Sequence, residues 1–187
     1  MLSRGFSFGW LLPFGFFSIF SVQATAQQPA PGGTEAAPAV ERFGAWNVRC
    51  TVAQGATAKQ CEVVQVATIK QADQDVTIMT FAVAPADGGK GANEPAHSLT
   101  MLVPLNVLLP AGLSISIDDK PAAKLSYRNC NQSGCWVQSP LNAALLAQLS
   151  KGRSGSAKLD LVNGQTVNIR FSLDGLTAAM KKLNAAS

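Results

Sequence analysis

From Phe43 onward, apolar residues recur mostly at every second position, the period of a strand that buries one face. Trp46, Val48 and Cys50 share one face of the extended segment 43–50. Leu113, Ile115 and Ile117 alternate with Ser114 and Ser116, and Val167, Ile169 and Phe171 alternate with Asn168, Arg170 and Ser172. Further runs rich in β-branched or apolar residues lie at 61–69, 76–84, 99–103, 123–127, 136–138 and 157–162. Together they predict a mainly β fold, an antiparallel β-sandwich. Asn163-Gly164 between two such runs predicts a two-residue hairpin turn with positive φ at both positions.

Two stretches change to helical spacing. Ser139-Pro140 predicts an N-cap followed by a first-turn proline, Leu141, Leu145, Leu146 and Leu149 form an apolar stripe, and Gly152 is placed to end that helix. A second short helix is predicted to start near Gly175, with Leu176, Met180 and Leu183 on one side and Lys181 and Lys182 toward its C-terminal end, where cations suit the dipole. Both stripes are expected to pack on a sheet rather than to hold a cofactor.

The N-terminus has a different pattern. Arg4 precedes an apolar stretch from Phe8 to Val22, and Ala24-Thr25-Ala26 follows, the layout of an export signal cleaved after Ala26. The alternative is an uncleaved anchor, but the stretch falls short of the ~20 residues a spanning helix needs, and Pro13 and Gly15 interrupt it. No cysteine adjoins the cleavage site, so no lipoprotein anchor is expected. Residues 27–42, with Pro29, Pro31, Gly32, Gly33 and Pro38, are predicted to be a flexible linker. Residues 43–187 then form a single domain, long enough for one core. The expected location is the periplasm or the exterior, with no membrane span after cleavage. The net charge of +4 is dispersed, which favours solubility and weak attraction to anionic surfaces and gives no basis for nucleic-acid binding.

In an oxidising compartment the four cysteines matter most. Four allow three connectivities. Spacing favours Cys50 with Cys61, at the facing ends of two consecutive strands, and Cys130 with Cys135, which flank the polar turn Asn131-Gln132-Ser133-Gly134. Each bridge closes a short loop and is expected to contribute about 2–3 kcal/mol. The sharper alternative is a thiol-redox or metal-handling site at Cys130 and Cys135. A redox dithiol is usually Cys-x-x-Cys at a helix N-terminus, and zinc needs four converging ligands. The spacings and the single histidine fit neither.

Other candidate chemistry is sparse. His97 stands alone in a polar loop with no nucleophile elbow nearby, and is read as a solvated loop histidine. Asp118-Asp119 is a conceivable acid–base pair but is explained by a β-turn. The Gly88–Gly91 cluster in a loop from Pro85 to His97 lacks the lysine–hydroxyl ending of a phosphate cradle. Trp46, Trp136 and Tyr127 are candidates for structure or interaction; Trp46 and Trp136, each near a predicted bridge, are read as core aromatics packed on cystine. No catalytic, cofactor-binding or metal residue is assigned and no cofactor is expected.

Several segments resemble one family. Phe43-Gly44-Ala45-Trp46-Asn47-Val48-Arg49-Cys50 is similar to its opening F-G-x-W-x-V-x-C, followed by Cys61-Glu62-Val63-Val64-Gln65. Residues 104–113, Pro-Leu-Asn-Val-Leu-Leu-Pro-Ala-Gly-Leu, resemble its P-L-x-V-x-L-P-x-G segment, with Asn106 where glycine is frequent. Tyr127-Arg128-Asn129-Cys130 and Gly134-Cys135 match its second cysteine pair, and Ser172-Leu173-Asp174-Gly175-Leu176 its ending. This is the invasion-associated locus B family, and the resemblance covers essentially all of 43–183. It implies an exported envelope protein, some relatives being associated with entry into host cells, and it supplies no catalytic residues. The expected function is a non-enzymatic interaction module engaging an unidentified envelope component or a host cell surface. The alternatives are the thiol-based reading and plain structural support of the envelope.

Overall fold

The structure is a computed structural model and describes residues 39–52, 55, 58–86 and 96–186. The predicted export signal, the linker up to residue 38 and the Gly88–Gly91 cluster lie outside the described residues. Two antiparallel sheets face each other. The larger has seven strands in the order β1-β2-β3-β4-β5-β9-β8, formed by β1 (Ala39–Phe43), β2 (Trp46–Val52), β3 (Lys59–Gln71), β4 (Gln74–Pro85), β5 (His97–Val103), β8 (Tyr127–Asn131) and β9 (Gly134–Pro140). The smaller has four in the order β11-β10-β6-β7, formed by β6 (Leu113–Ile117), β7 (Lys120–Leu125), β10 (Ser154–Asp160) and β11 (Thr166–Ser172). Helices α1 (Ala143–Lys151) and α2 (Leu176–Ala186) complete it. Among the described residues no helix is long and apolar enough to cross a membrane.

Alternation puts the core between the sheets. Trp46, Val63, Phe81, Leu99, Met101 and Val137 line the inner face of the large sheet, and Leu113, Ile115, Ala157, Leu159, Ile169 and Phe171 that of the small one, all in one buried cluster. The Phe81 ring spans the layers: it meets Trp46 edge-on at 5.3 Å and Phe171 edge-on at 5.3 Å. α1 leads into the start of β10 and α2 follows the end of β11, positions that pair as Ser154↔Ser172. Both helices therefore sit at one end of the sandwich. There α2 buries Leu176, Ala179, Met180 and Leu183, and α1 buries Leu145 and Leu149.

Several expectations are corrected. Strand β1 occupies Ala39–Phe43, largely inside the predicted linker. β1 pairs with β2 from Ala39↔Cys50 to Phe43↔Trp46, and Glu41 is 2.6 Å from Lys182 of α2; a backbone ladder does not need an apolar sequence. The run at 123–127 is split between β7 and β8, which belong to different sheets. Helix α1 starts later than expected. Ser139 and Pro140 lie in β9, and Asn142 is the N-cap, its side chain accepting from Leu145 N–H at 2.8 Å. At Asn163-Gly164 only Gly164 takes positive φ, 83°. Gly164 N–H bonds Leu161 C=O at 3.0 Å, a type I turn followed by a left-handed residue, which widens the hairpin beyond two residues. The segment expected to be a loop from Pro85 to His97 is paired at both ends, with Pro85↔His97 in register.

Candidate functional site

Both cysteine pairs form disulfides, Cys50–Cys61 and Cys130–Cys135. Each joins directly opposed residues of neighbouring strands, β2–β3 and β8–β9, with Cα atoms 4.0 Å apart. They staple the two flanks of the large sheet, and among the described residues no cysteine is free. Cys61 and Cys135 are buried and Cys130 is exposed.

The remaining candidates scatter. Trp46 is fully buried and packs on Phe81, whereas Trp136 is half-buried on the outer face of β9, because alternation turns it away from the inward Cys135 beside it. The core reading of Trp136 is thus corrected. Its indole N–H reaches Asn131 Oδ1 at 3.4 Å. His97 is not a solvated loop residue. It is buried, opens β5, and donates from Nε2 to Asn184 Oδ1 of α2 at 2.8 Å, while its carbonyl accepts from Leu141 N–H. It ties α2 and the segment leading into α1 to the large sheet. Asp118 and Asp119 occupy a tight turn with φ of 46° and 63°. The Asp118 carboxylate accepts from Arg153 N–H at 3.1 Å and Ser154 N–H at 3.0 Å, and the Ser154 and Arg153 amides hold its pKa below the usual 3.8. That is a turn tying β6–β7 to β10, as expected of a structural role. The Tyr127 hydroxyl is buried without a hydrogen-bond partner among the described residues. Burial, then the charge of Asp160, pushes its pKa up to about 12.

The family-like segments meet at one place instead. Residues 43–46 and 172–175 interlock: Ala45 N–H bonds Asp174 C=O at 3.2 Å. A Cβ on Gly44 would stand 2.7 Å from Asp174 O, and one on Gly175 2.1 Å from Phe43 O. Both glycines have positive φ, 56° and 84°, so neither position accepts a side chain without displacement. Beside them buried Gln65 donates to Ala45 C=O (3.1 Å) and Ser172 C=O (2.9 Å) and accepts from Ser172 N–H (3.1 Å). Trp46 Nε1–H shares the Ser172 carbonyl at 3.0 Å. Gln65 was not singled out by sequence reasoning; the available signal was a polar residue at an inward position, two after Val63 and four after Cys61. This knot clamps β2 and β3 to β11. It holds the sandwich together.

The open feature lies at the opposite end from the helices, where β10 ends and β11 begins. A cleft of about 590 Å³ is bounded by Ile69 and Ile78 of the β3–β4 hairpin, Pro104–Val107 after β5, and Leu159 and Leu161–Asn163 with Val167–Ile169 of the β10–β11 hairpin. That size suits a small ligand or a short chain segment. The backbone makes its frame: Val107 bridges Leu161, Leu108 N–H bonds Asp160 C=O at 2.7 Å, and Val162 N–H bonds Asn106 C=O at 2.9 Å. Asn106 has φ 69°, a left-handed conformation that glycine and asparagine tolerate best. Among the described residues the lining is apolar apart from Asn106, Asn163 and Asn168, and carries no charged side chain. Ile69, Leu105, Val162 and Val167 are 47%, 45%, 64% and 37% exposed, so the mouth is hydrophobic. Sequence reasoning placed several of these residues on strands or turns but read none of them as a binding site. The signal was present in Leu161-Val162 directly before Asn163-Gly164, apolar residues where a turn ordinarily shows polar ones.

These features define the class: a disulfide-stapled, two-sheet β protein closed by helices at one end and opening an apolar cleft at the other. Residues 46–184 match the model of the invasion-associated locus B (IalB) protein family, and the chain belongs to that family. It is 28% identical over 175 residues to invasion protein B homologs of Brucella abortus strain 2308 and of biovar 1 strain 9-941, a match covering 93% of this chain and 94% of each relative. Its fold is also that of the crystal structure of invasion associated protein B from Bartonella henselae, with a TM-score of 0.63 at 19% identity, covering 79% of this chain and 96% of that one.

Proposed function

We propose that this protein is an exported, non-enzymatic binding module of the bacterial envelope, and that its ligand seat is the apolar cleft at the hairpin end of the sandwich. The cleft carries the reading: hydrophobic side chains there stay in contact with water at a rim built by three separate segments, an arrangement that burial of a ligand would stabilise by roughly 25 cal/mol per Å² of apolar area covered. The names of the Brucella and Bartonella relatives support a role at the boundary between bacterium and host. The sequence pattern before Gln27 supports export.

The test uses the neutral apolar dye N-phenyl-1-naphthylamine as a probe of the purified, oxidised protein. Saturable binding to a single site is expected, weakened about tenfold or more by Val167→Lys, which puts an ammonium into the mouth. Binding that does not saturate, or that Val167→Lys leaves unchanged, would remove the cleft from consideration. Mass analysis of the protein from a periplasmic extract checks the other half: a chain beginning at Gln27 is expected, and a chain retaining residues 1–26 contradicts cleavage.

A further inference from the structure

A sheet edge left open beside an apolar gap can take another strand, and folded proteins ordinarily blunt their edges. Three of the four edge strands here are blunted. β7 carries Pro121, and its ladder with β6 shifts register between Ile115 and Ser116. The β8 ladder with β9 shifts between Tyr127 and Asn129. β1 has only 5 residues, and its Glu41 is held by Lys182. β11 is covered only at Ser172: all 7 residues pair with β10 in unbroken register, without proline or bulge, and Arg170 is its one charged residue.

Hydrogen-bond parity shows what that edge presents. Leu161 N–H bonds Gln165 C=O at 2.8 Å, so the odd-numbered residues of β11 turn their amides toward β10. Ser172 N–H points the other way, to Gln65 Oε1 at 3.1 Å. By alternation the N–H and C=O groups of Thr166, Asn168 and Arg170 face the same free side. Gln65 and Trp46 fill this edge at Ser172. Among the described residues no hydrogen bond is made to it at the three residues before. Val167, Asn168 and Ile169 of this strand line the cleft, and Ile69 and Ile78 form its other wall.

We propose that the cleft receives an extended peptide segment with apolar side chains at alternate positions, which adds to the small sheet as a strand beside β11 and seats those side chains between β11 and the β3–β4 hairpin. The inference rests on the cleft being the ligand seat and names what occupies it. A hydrocarbon tail laid along this edge would strip water from the main-chain groups of Thr166, Asn168 and Arg170 without replacing its hydrogen bonds. A peptide main chain supplies donors and acceptors at the same spacing, while its side-chain period of two fits a gap open on one face only.

The test uses a labelled peptide of alternating valine and threonine with a lysine at each end, its isomer N-methylated at every second residue, and myristate, each titrated into the oxidised protein. Asn168→Pro is the protein-side partner: its ring blocks the free edge, while residue 168 donates nothing to β10, so folding is expected to survive and is checked by near-UV circular dichroism. Saturable peptide binding is expected, weakened about tenfold or more both by N-methylation and by Asn168→Pro. Equal affinity for the plain and N-methylated peptides overturns strand addition and leaves the cleft as a seat. Myristate binding without peptide binding overturns it in favour of a lipid tail. Failure of peptide, myristate and dye alike overturns both readings. Should Asn168→Pro misfold, the N-methylated isomer alone decides the matter.

Discussion

Replacing Gln65 by leucine probes the clamp between the two sheets. The side chain makes three hydrogen bonds, to Ala45 C=O at 3.1 Å and to both Ser172 C=O (2.9 Å) and Ser172 N–H (3.1 Å). Leucine is of similar size, so little cavity opens and the loss is mainly polar. Ser172 C=O keeps the Trp46 indole N–H at 3.0 Å, but Ser172 N–H loses its described partner. Leaving one part-buried donor unpaired costs about 1–3 kcal/mol, and the net loss of the other bonds adds about 1 kcal/mol. A destabilisation of about 2–4 kcal/mol is expected, a large share of the roughly 5–15 kcal/mol of a typical domain. Urea unfolding of the oxidised protein measures it, with an unchanged m-value showing that the unfolded state is the same. The double variant with Trp46→Phe should lose more than the two single losses combined, since Ser172 C=O then has neither side-chain donor left. A loss for Gln65→Leu below about 0.5 kcal/mol, the range of an ordinary surface change, would refute the clamp.

Four further outcomes follow from the geometry. Gly175→Ala, which would put a Cβ 2.1 Å from Phe43 O at φ 84°, should cost more than about 2 kcal/mol in thermal or urea unfolding; a neutral result would mean the 43–46 and 172–175 segments do not interlock. Cys130→Ser should lose about 2–3 kcal/mol of stability, while mild reductant gives no catalytic turnover in a dithiol assay; turnover that depends on Cys130 and Cys135 would favour the thiol-based reading. The chain has one tyrosine, so its ultraviolet titration reports Tyr127 alone and should show a midpoint near 12. Because the folded state holds that proton more tightly than the unfolded chain, its contribution is complete below pH 10 and is lost as pH rises toward 12. Asp118 has the opposite sign. Its lowered pKa stabilises above the unfolded value of 3.8 and is lost as pH falls through the folded value, so melting temperature between pH 5 and 2 should fall more steeply for the native protein than for Asp118→Asn.

The parts of the fold legible in the sequence were those in which burial writes a period. The alternation of Leu113, Ile115 and Ile117 and of Val167, Ile169 and Phe171 marked β6 and β11 because one face of each turns inward, all but Val167 packing in the core and Val167 reaching the cleft. β1 and β8 were illegible for the converse reason: both are edge strands with largely exposed side chains, specified by the ladder rather than by a hydrophobic face. The disulfides were readable because each partner lies within 11 residues of the other along the chain. His97 was misread because its partner, Asn184, stands 87 residues away. Gln65 shows the same limit, since its role exists only once Ser172 is folded against it. The cleft was recorded in apolar residues at strand ends, Leu105, Leu161 and Val162, but convergence of three loops on one gap is a property of topology that no local pattern carries.

The most direct measurement is photo-crosslinking in living cells, with a photoreactive amino acid placed at Val162 in the cleft mouth and, as control, at Trp136 on the outer face of the large sheet. A discrete adduct from Val162, much stronger than from Trp136 and abolished by Val167→Lys, is the expected result. Equal labelling from both positions, or an adduct from Trp136 alone, would contradict the assignment of the cleft as the working surface of this protein.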